Sequence, residues 1–146
     1  VLAERLRPFV DLGRYGLEDG ALPAVAEVLR KRISVLSEAQ EQLDRFMGPL
    51  EGERREAREG TLSDPSSVAV LRAVGEQLST LPTWEQEGID GAIRAGGKSV
   101  GARGKALFLP VRLALTGEEH GPELWRVAYL LGRDRTLALL EPDTQV

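Results

Sequence analysis

Few residues of this chain could do chemistry, and most of them are arginines. Of 19 basic residues, 16 are arginine, and the three lysines are Lys31, Lys98 and Lys105. Arginine carries a planar fork of donors that fits phosphates and base edges and stacks on rings. A GC-rich or heat-adapted genome would give the same bias, so composition alone does not choose between the readings. Position says more. On a helix starting at Leu22, a step of about 100° per residue gathers Val25, Ala26, Val28, Leu29 and Ile33 into one apolar arc. Lys31 points away from it, Arg30 lies just past one edge, and Arg32 falls inside it beside Val25. A charge at an apolar edge is costly unless something pairs with it. Arg32 is therefore either a structural ion-pair residue near a helix C-terminus or a ligand-binding one.

A second arginine stands in the apolar run KALFLPVRLALT. Arg112 shares a face with Thr116, opposite Val111 and Leu115. By pattern that face is solvated. The helix that follows carries two apolar stripes, Leu124, Val127 and Leu131 on one and Trp125, Ala128 and Tyr129 on the other. Either both stripes are buried or the aromatics offer a surface on which bases stack.

Other motifs fail on chemistry. Gly97-Lys98-Ser99 has the end of a phosphate-binding loop, but the leading position is Ala92 instead of glycine, and Gly104-Lys105 is followed by Ala106. Without a strand before either, both read as a loop entering a helix. His120 is the only histidine, expected in an exposed loop, and no metal site is expected. No serine, histidine and acid are arranged as a triad, and no catalytic residue is assigned.

The elements that must hold these residues are helices. Apolar residues recur at helical spacing nearly throughout, and strict alternation is hard to find. The expected fold is all-α, a cage or bundle of about seven or eight helices in two small lobes. The spacing predicts helices over Leu2 to about Leu12, with a bend or early end near Pro8, over Leu22 to Ile33, and over Val35 to Met47. Ser34 or Ser37 would cap the third of these, Ser37 having capping-box spacing to Gln40, and Gly48-Pro49 would stop it. The charged, turn-rich stretch 51–67 reads as the lobe boundary, giving lobes 1–63 and 64–146, with an exposed helix inside one domain as the alternative. Ser66 or Ser67 would cap a helix to about Leu81. Pro82 separates it from a helix ending by Gly96-Gly97, and a glycine-rich link over 96–104 leads to the terminal helices.

Composition excludes little. At 42% hydrophobic and 29% charged, the 146 residues can build a real core. No apolar run approaches the roughly 18–20 residues of a membrane span, no signal-peptide pattern opens the chain, and no cysteine is present for disulfides or thiolate metal sites. A cytoplasmic protein without a membrane partner is expected. A net charge of −4 works against nucleic-acid binding on simple electrostatics. The opening VLAERLRPF reads as helix with no cap before it. The chain is expected to be a piece of a longer protein, with a processed stand-alone protein as the alternative.

Three segments, in order, resemble the bacterial-type glutamyl-tRNA synthetase family: LAERLRPFVDLGRYG, AEVLRKRISVLSEAQEQLDRFM and the stretch 105–140. Trp84 is similar to a tryptophan which that family often carries. Together these span almost the whole chain, with residues 48–80 the weakest part. The resemblance implies the helical anticodon-binding region near the end of an aminoacyl-tRNA synthetase. It implies that Arg32, beside Arg30, reads the third anticodon base and helps separate glutamate from glutamine tRNA. Arg112 would lie near the first anticodon base, and Gly121, Pro122, Leu124 and Trp125 would pack on the first two. Some relatives carry threonine where Gly121 stands, so a contact there would run through the backbone. The family's HIGH-type and KMSKS-type signatures are absent from this sequence. No cofactor is therefore expected on the chain, and ATP with magnesium would belong to a catalytic domain of the parent. The implied partners are the anticodon loop of glutamate tRNA and that catalytic domain, with no DNA, in a monomer. A stand-alone RNA-binding or protein-interaction module is the alternative.

Overall fold

The computed structural model describes residues 2–30 and 36–142. Among the described residues all regular structure is helical and no strand occurs, as the periodicity predicts. The chain divides into two compact units, Val1–Pro49 and Leu50–Val146.

The first unit holds α1 (Leu2–Leu6), α2 (Leu22–Leu29) and α3 (Ala39–Met47), joined by short 3-10 turns. The first helix ends at Leu6 and tightens into a 3-10 turn over Arg7–Phe9, because Pro8 has no N–H to continue the α-helical ladder. Leu22, Val25, Ala26, Val28 and Leu29 are buried, so the predicted apolar arc of α2 is its core face. Its last two predicted members, Arg32 and Ile33, lie outside the described residues, as does Ser34. The expected cap at Ser37 is not formed. Helix α3 starts after Glu38, which makes no side-chain cap bond. Gln40 is used elsewhere: its Nε2 donates to Asp44 Oδ1 at 2.8 Å, and its Oε1 accepts from the Asp11 N–H. Asp44 also accepts from Arg14 at 2.8 and 2.9 Å and from the Tyr15 hydroxyl. These bonds clamp the turn Leu12–Tyr15 onto α3.

The second unit contains α4 (Gly52–Leu62), α5 (Pro65–Ser79), α6 (Gln86–Ser99), α7 (Lys105–Thr116), α8 (Leu124–Leu131) and α9 (Arg133–Leu140). The division falls between Pro49 and Leu50, whereas the sequence places the lobe boundary at 63/64. The charged stretch is helix α4, and two of its arginines bind it into the second unit. Arg54 Nε donates to the Thr116 carbonyl at 2.9 Å, and buried Arg58 donates from Nε and Nη2 to the Leu139 carbonyl at 3.2 and 2.7 Å. These acceptors sit at the C-terminal ends of α7 and α9, where a helix leaves carbonyls without internal partners. Helix α5 is capped by Asp64, which accepts from the Ser67 N–H at 3.1 Å and its hydroxyl at 2.7 Å. Ser66 and Ser67 are therefore inside the helix, with Pro65 at its first turn, where the missing N–H is not needed.

The glycine pair expected in a link is instead in α6, which runs on to Ser99. A Cβ at Gly96 would stand 2.6 Å from the Val74 Cα, so glycine lets α6 lie directly on the α5 backbone. That approach buries Leu71, Leu78, Ile89 and Ile93, each worth roughly 1.5–3 kcal/mol when fully removed from water. At the other end of α7, Gly117 adopts φ +71, and a Cβ there would meet Arg54 Cα at 2.6 Å.

Two outcomes are expected. Gly117→Ala meets both a left-handed backbone and the wall of α4. It should cost well over the roughly 1–2 kcal/mol of the backbone term alone. Gly101→Ala, at φ +72 with open space around it, should cost only that term. Urea titrations of the two variants compare them, and equal losses would argue against the α4–α7 contact. The second outcome concerns Asp44. The hydrogen bond from Tyr15, then those from Gln40 and Arg14, hold its carboxyl below the ordinary value. A depressed carboxyl stabilises above the unfolded value of about 3.9, and the contribution is lost as pH falls through the folded value. An NMR titration should place Asp44 below about 3.9, with Tyr15→Phe moving it upward.

Candidate nucleic-acid interface

The residues singled out in the C-terminal third meet at one corner, where α7 ends and α8 begins. Gly117 reverses the chain, with its N–H on the Leu113 carbonyl at 2.9 Å. Thr116 locks the turn: its hydroxyl donates to the Arg112 carbonyl at 2.9 Å and accepts from the Glu118 N–H at 3.1 Å. The returning loop passes over Arg112, whose Nη1 donates to the Pro122 carbonyl at 2.8 Å. Arg112 is thus half-buried, not on the solvated face that its pattern predicts. Burial pushes its pKa down, and Glu118 partly restores it. A guanidinium remains charged even so. A Cβ at Gly121 would come 3.1 Å from Arg112 Nη1, so a larger residue there must displace the guanidinium slightly.

Helix α8 buries Leu124, Val127, Ala128, Leu130 and Leu131, while Trp125 and Tyr129 are half-buried. Of the predicted contact residues, Leu124 is therefore a core residue with 5% exposure. Trp125 stands at the surface. Its indole N–H donates to Glu123 Oε2 at 3.0 Å, and the Arg126 guanidinium lies 4.7 Å from its ring centroid. Arg126 also pairs with Glu123 at 3.2 Å. The sequence reading misses Arg126, although Glu123 three residues earlier and Trp125 beside it are the signal of such a cluster. Trp84 is held too: its indole N–H donates to the Ala128 carbonyl at 3.0 Å and Arg133 covers its ring at 5.4 Å. The Thr136 hydroxyl and Gly132 N–H reach the same carbonyl, at 3.2 and 3.0 Å, and together they fix the α8–α9 corner.

In the first unit, Arg30 closes α2 with an exposed side chain 3.8 Å from Glu27. Arg32 lies outside the described residues. His120 is exposed, as expected. Gly97-Lys98-Ser99 forms the last turn of α6, with the wrong end of a helix for a phosphate loop. Among the described residues no group of His, Cys, Asp and Glu could hold a metal ion, and no helix is long and apolar enough to cross a membrane.

This corner holds a half-buried guanidinium bonded to a backbone loop, and the loop leads directly into α8 with its braced indole; guanidinium, loop backbone and ring are the group types that contact unstacked bases. Residues 1–141 match the family model for an anticodon binding domain. The chain belongs to this family of anticodon-binding domains. The relatives it matches are glutamate–tRNA ligases: one from Exiguobacterium sibiricum is 49% identical over 80 residues, covering 55% of this chain and 17% of that protein. Glutamate–tRNA ligase 2 from Acidiphilium cryptum is 42% identical over 113 residues, 77% of this chain and 23% of that protein. The Acidothermus cellulolyticus ligase is 36% identical over 148 residues, 95% of this chain and 29% of that protein. The chain thus spans less than a third of the length of these relatives. A solved glutamate tRNA ligase from Elizabethkingia meningosepticum shares the fold at a TM-score of 0.72 and 17% identity, over 96% of this chain and 28% of that one.

The Arg112–Pro122 bond predicts a local effect. Arg112→Ala should speed amide hydrogen exchange over residues 118–123 while lowering global stability by about 1 kcal/mol, the net value of one hydrogen bond. Exchange unchanged in that loop would show that Arg112 does not hold it.

Proposed function

We propose that this chain reads the anticodon loop of glutamate tRNA on behalf of a glutamate–tRNA ligase. The carrying observation is the corner where Arg112, the Gly121-Pro122 backbone and Trp125 meet, in a chain that belongs to the anticodon-binding family. Arg112 uses one N–H on Pro122, which leaves further donors of its fork for a base or phosphate. Trp125 stacks a base on the face that Arg126 does not cover, Pro122 and the Gly121 backbone border it, and Leu124 is the apolar floor beneath. Arg32, with Arg30 beside it, donates to the third anticodon base. The two compact units serve as two anticodon-binding subdomains. Activation of glutamate with ATP and magnesium, and its transfer to the tRNA, fall to a catalytic domain of the parent, which acts as a cytoplasmic monomer.

Binding of this chain to glutamate and glutamine tRNA transcripts, at two salt concentrations, tests the reading. A salt-dependent preference for glutamate tRNA supports it, and no binding to either, by the chain and by the whole parent, refutes it. A good bidentate arginine–base contact discriminates by roughly 1–3 kcal/mol, by analogy with DNA readout. Arg32→Gln should therefore narrow the gap between the two tRNAs by about that amount. An unchanged gap would remove Arg32 from the role.

A further inference from the structure

The 27 residues 91–117 hold five cations and no carboxylate, while the rest of the chain carries 14 cations against 23 carboxylates. A net charge of −4 therefore hides a segregated basic segment. It maps to the C-terminal end of α6, the α6–α7 loop and α7. The loop is well defined: the Ala102 N–H bonds the Gly97 carbonyl at 2.8 Å, and the Gly101 N–H bonds that of Lys98 at 3.1 Å. Lys98 in the last turn of α6, Arg103 in the loop and Lys105 at the first position of α7 are exposed and make no side-chain hydrogen bond or ion pair among the described residues. Elsewhere Arg7, Arg14, Arg30 and Arg55 are each paired with a carboxylate, and the exposed Arg5 and Arg72, which make no side-chain bond among the described residues, stand singly on α1 and α5. The nearby Asp64, on the groove beside Lys105, is committed to capping α5.

The basic edge continues along α7. Lys105 and Arg112 are seven residues apart, which puts them within about 20° of one face and about 10 Å apart along the axis. Beside that line Phe108 is stacked by Arg94 at 5.3 Å, and Asp90 orients Arg94 at 3.1 Å. Cations alternating with an aromatic ring suit a nucleic-acid strand better than an acidic protein surface.

We infer that Lys98, Arg103 and Lys105 form a phosphate-contacting edge that holds the RNA backbone alongside the base-reading corner at Arg112. This rests on the proposed reading of tRNA and extends it to a sequence-independent contact. Uncommitted cations at this helix junction release counterions when a phosphate arrives and give affinity without base preference.

The test is the triple variant Lys98→Ala, Arg103→Ala, Lys105→Ala in the 146-residue chain, with labelled glutamate and glutamine tRNA titrated over a range of salt. Each lost phosphate contact flattens the slope of log affinity against log salt by about 0.7 for a single strand, so three should flatten it by about 2. Both tRNAs should weaken by the same factor, with helicity by circular dichroism unchanged. A control triple of exposed arginines elsewhere, Arg5→Ala, Arg55→Ala, Arg72→Ala, makes the same change in net charge and should leave the slope nearly intact. An unchanged slope in the first triple, equal flattening in both triples, or a changed ratio between the tRNAs would overturn the inference while leaving the anticodon reading standing. Wild-type chain that binds neither tRNA at any salt would overturn the inference, and failure of the whole parent as well would overturn both.

Discussion

The second unit depends on two arginines of its most polar helix. Helix α4 looks like a solvated spacer, yet Arg54 and Arg58 reach inward to the last carbonyls of α7 and α9. A helix end buried without a donor would leave carbonyls short of partners, at about 1–3 kcal/mol for each unsatisfied group. Arginine answers this well, because its long stem spans the gap and its fork supplies more than one N–H. The cost is a buried charge. Arg58 is 5% exposed, and burial pushes its pKa down. The carbonyl dipoles that it meets lie at the negative end of α9, which offsets that cost.

This arrangement carries through to the corner where α7 ends and α8 begins. Arg54 and the close approach of Gly117 fix where α7 stops. The turn at Gly117 then sets the path of residues 118–122, and only on that path does the Pro122 carbonyl meet Arg112. Arg112 therefore has a structural role beside the ligand role proposed for it. One donor holds the loop, and the fork has further donors beyond that one. Loss of Arg112 would blur the shape of the corner as well as remove a contact.

Helix type and the core faces were legible from periodicity. The arc of α2 and the stripes of α8 are apolar because they are buried, and nothing else competes for those positions. Helix ends were harder. Ser37 and Ser66 had the residue type of caps, but Asp64 outcompeted the serines of α5, and Gln40 was drawn to Asp11 and Asp44, contacts 29 and four residues away. The glycines at 96 and 97 suggested a loop by their flexibility. Gly96 lets α6 touch the α5 backbone at Val74, and Gly97 leaves room for the Leu107 side chain and the Ala102 carbonyl, and no local window contains both Val74 and Leu107. The same limit hid α4: its buried partners are 62 and 81 residues away. At the site, the grouping of Gly121, Pro122 and Trp125 was readable because those residues are neighbours in sequence. The Arg126 brace and the Arg112 bond to Pro122 were not, since they depend on rotamers and on the turn at Gly117.

The bracing of Trp125 bears on how an acidic domain could still bind RNA. A mobile surface indole would lose rotamer freedom on stacking, at about 0.5–1.5 kcal/mol for an immobilised side chain. Here Glu123 already holds the indole N–H and Arg126 already covers one ring face. Arg126 also places a positive charge next to the ring, where a phosphate between two stacked bases would benefit from it. Glu123 limits that benefit, because it neutralises Arg126 at 3.2 Å in the free protein. The cluster thus favours pre-set geometry over long-range attraction, the opposite of the uncommitted cations at the α6–α7 junction. A binding surface with both kinds of contact can draw a strand in through its backbone and still choose it by its bases, provided the two sets lie along one face, as Lys105 and Arg112 do on α7.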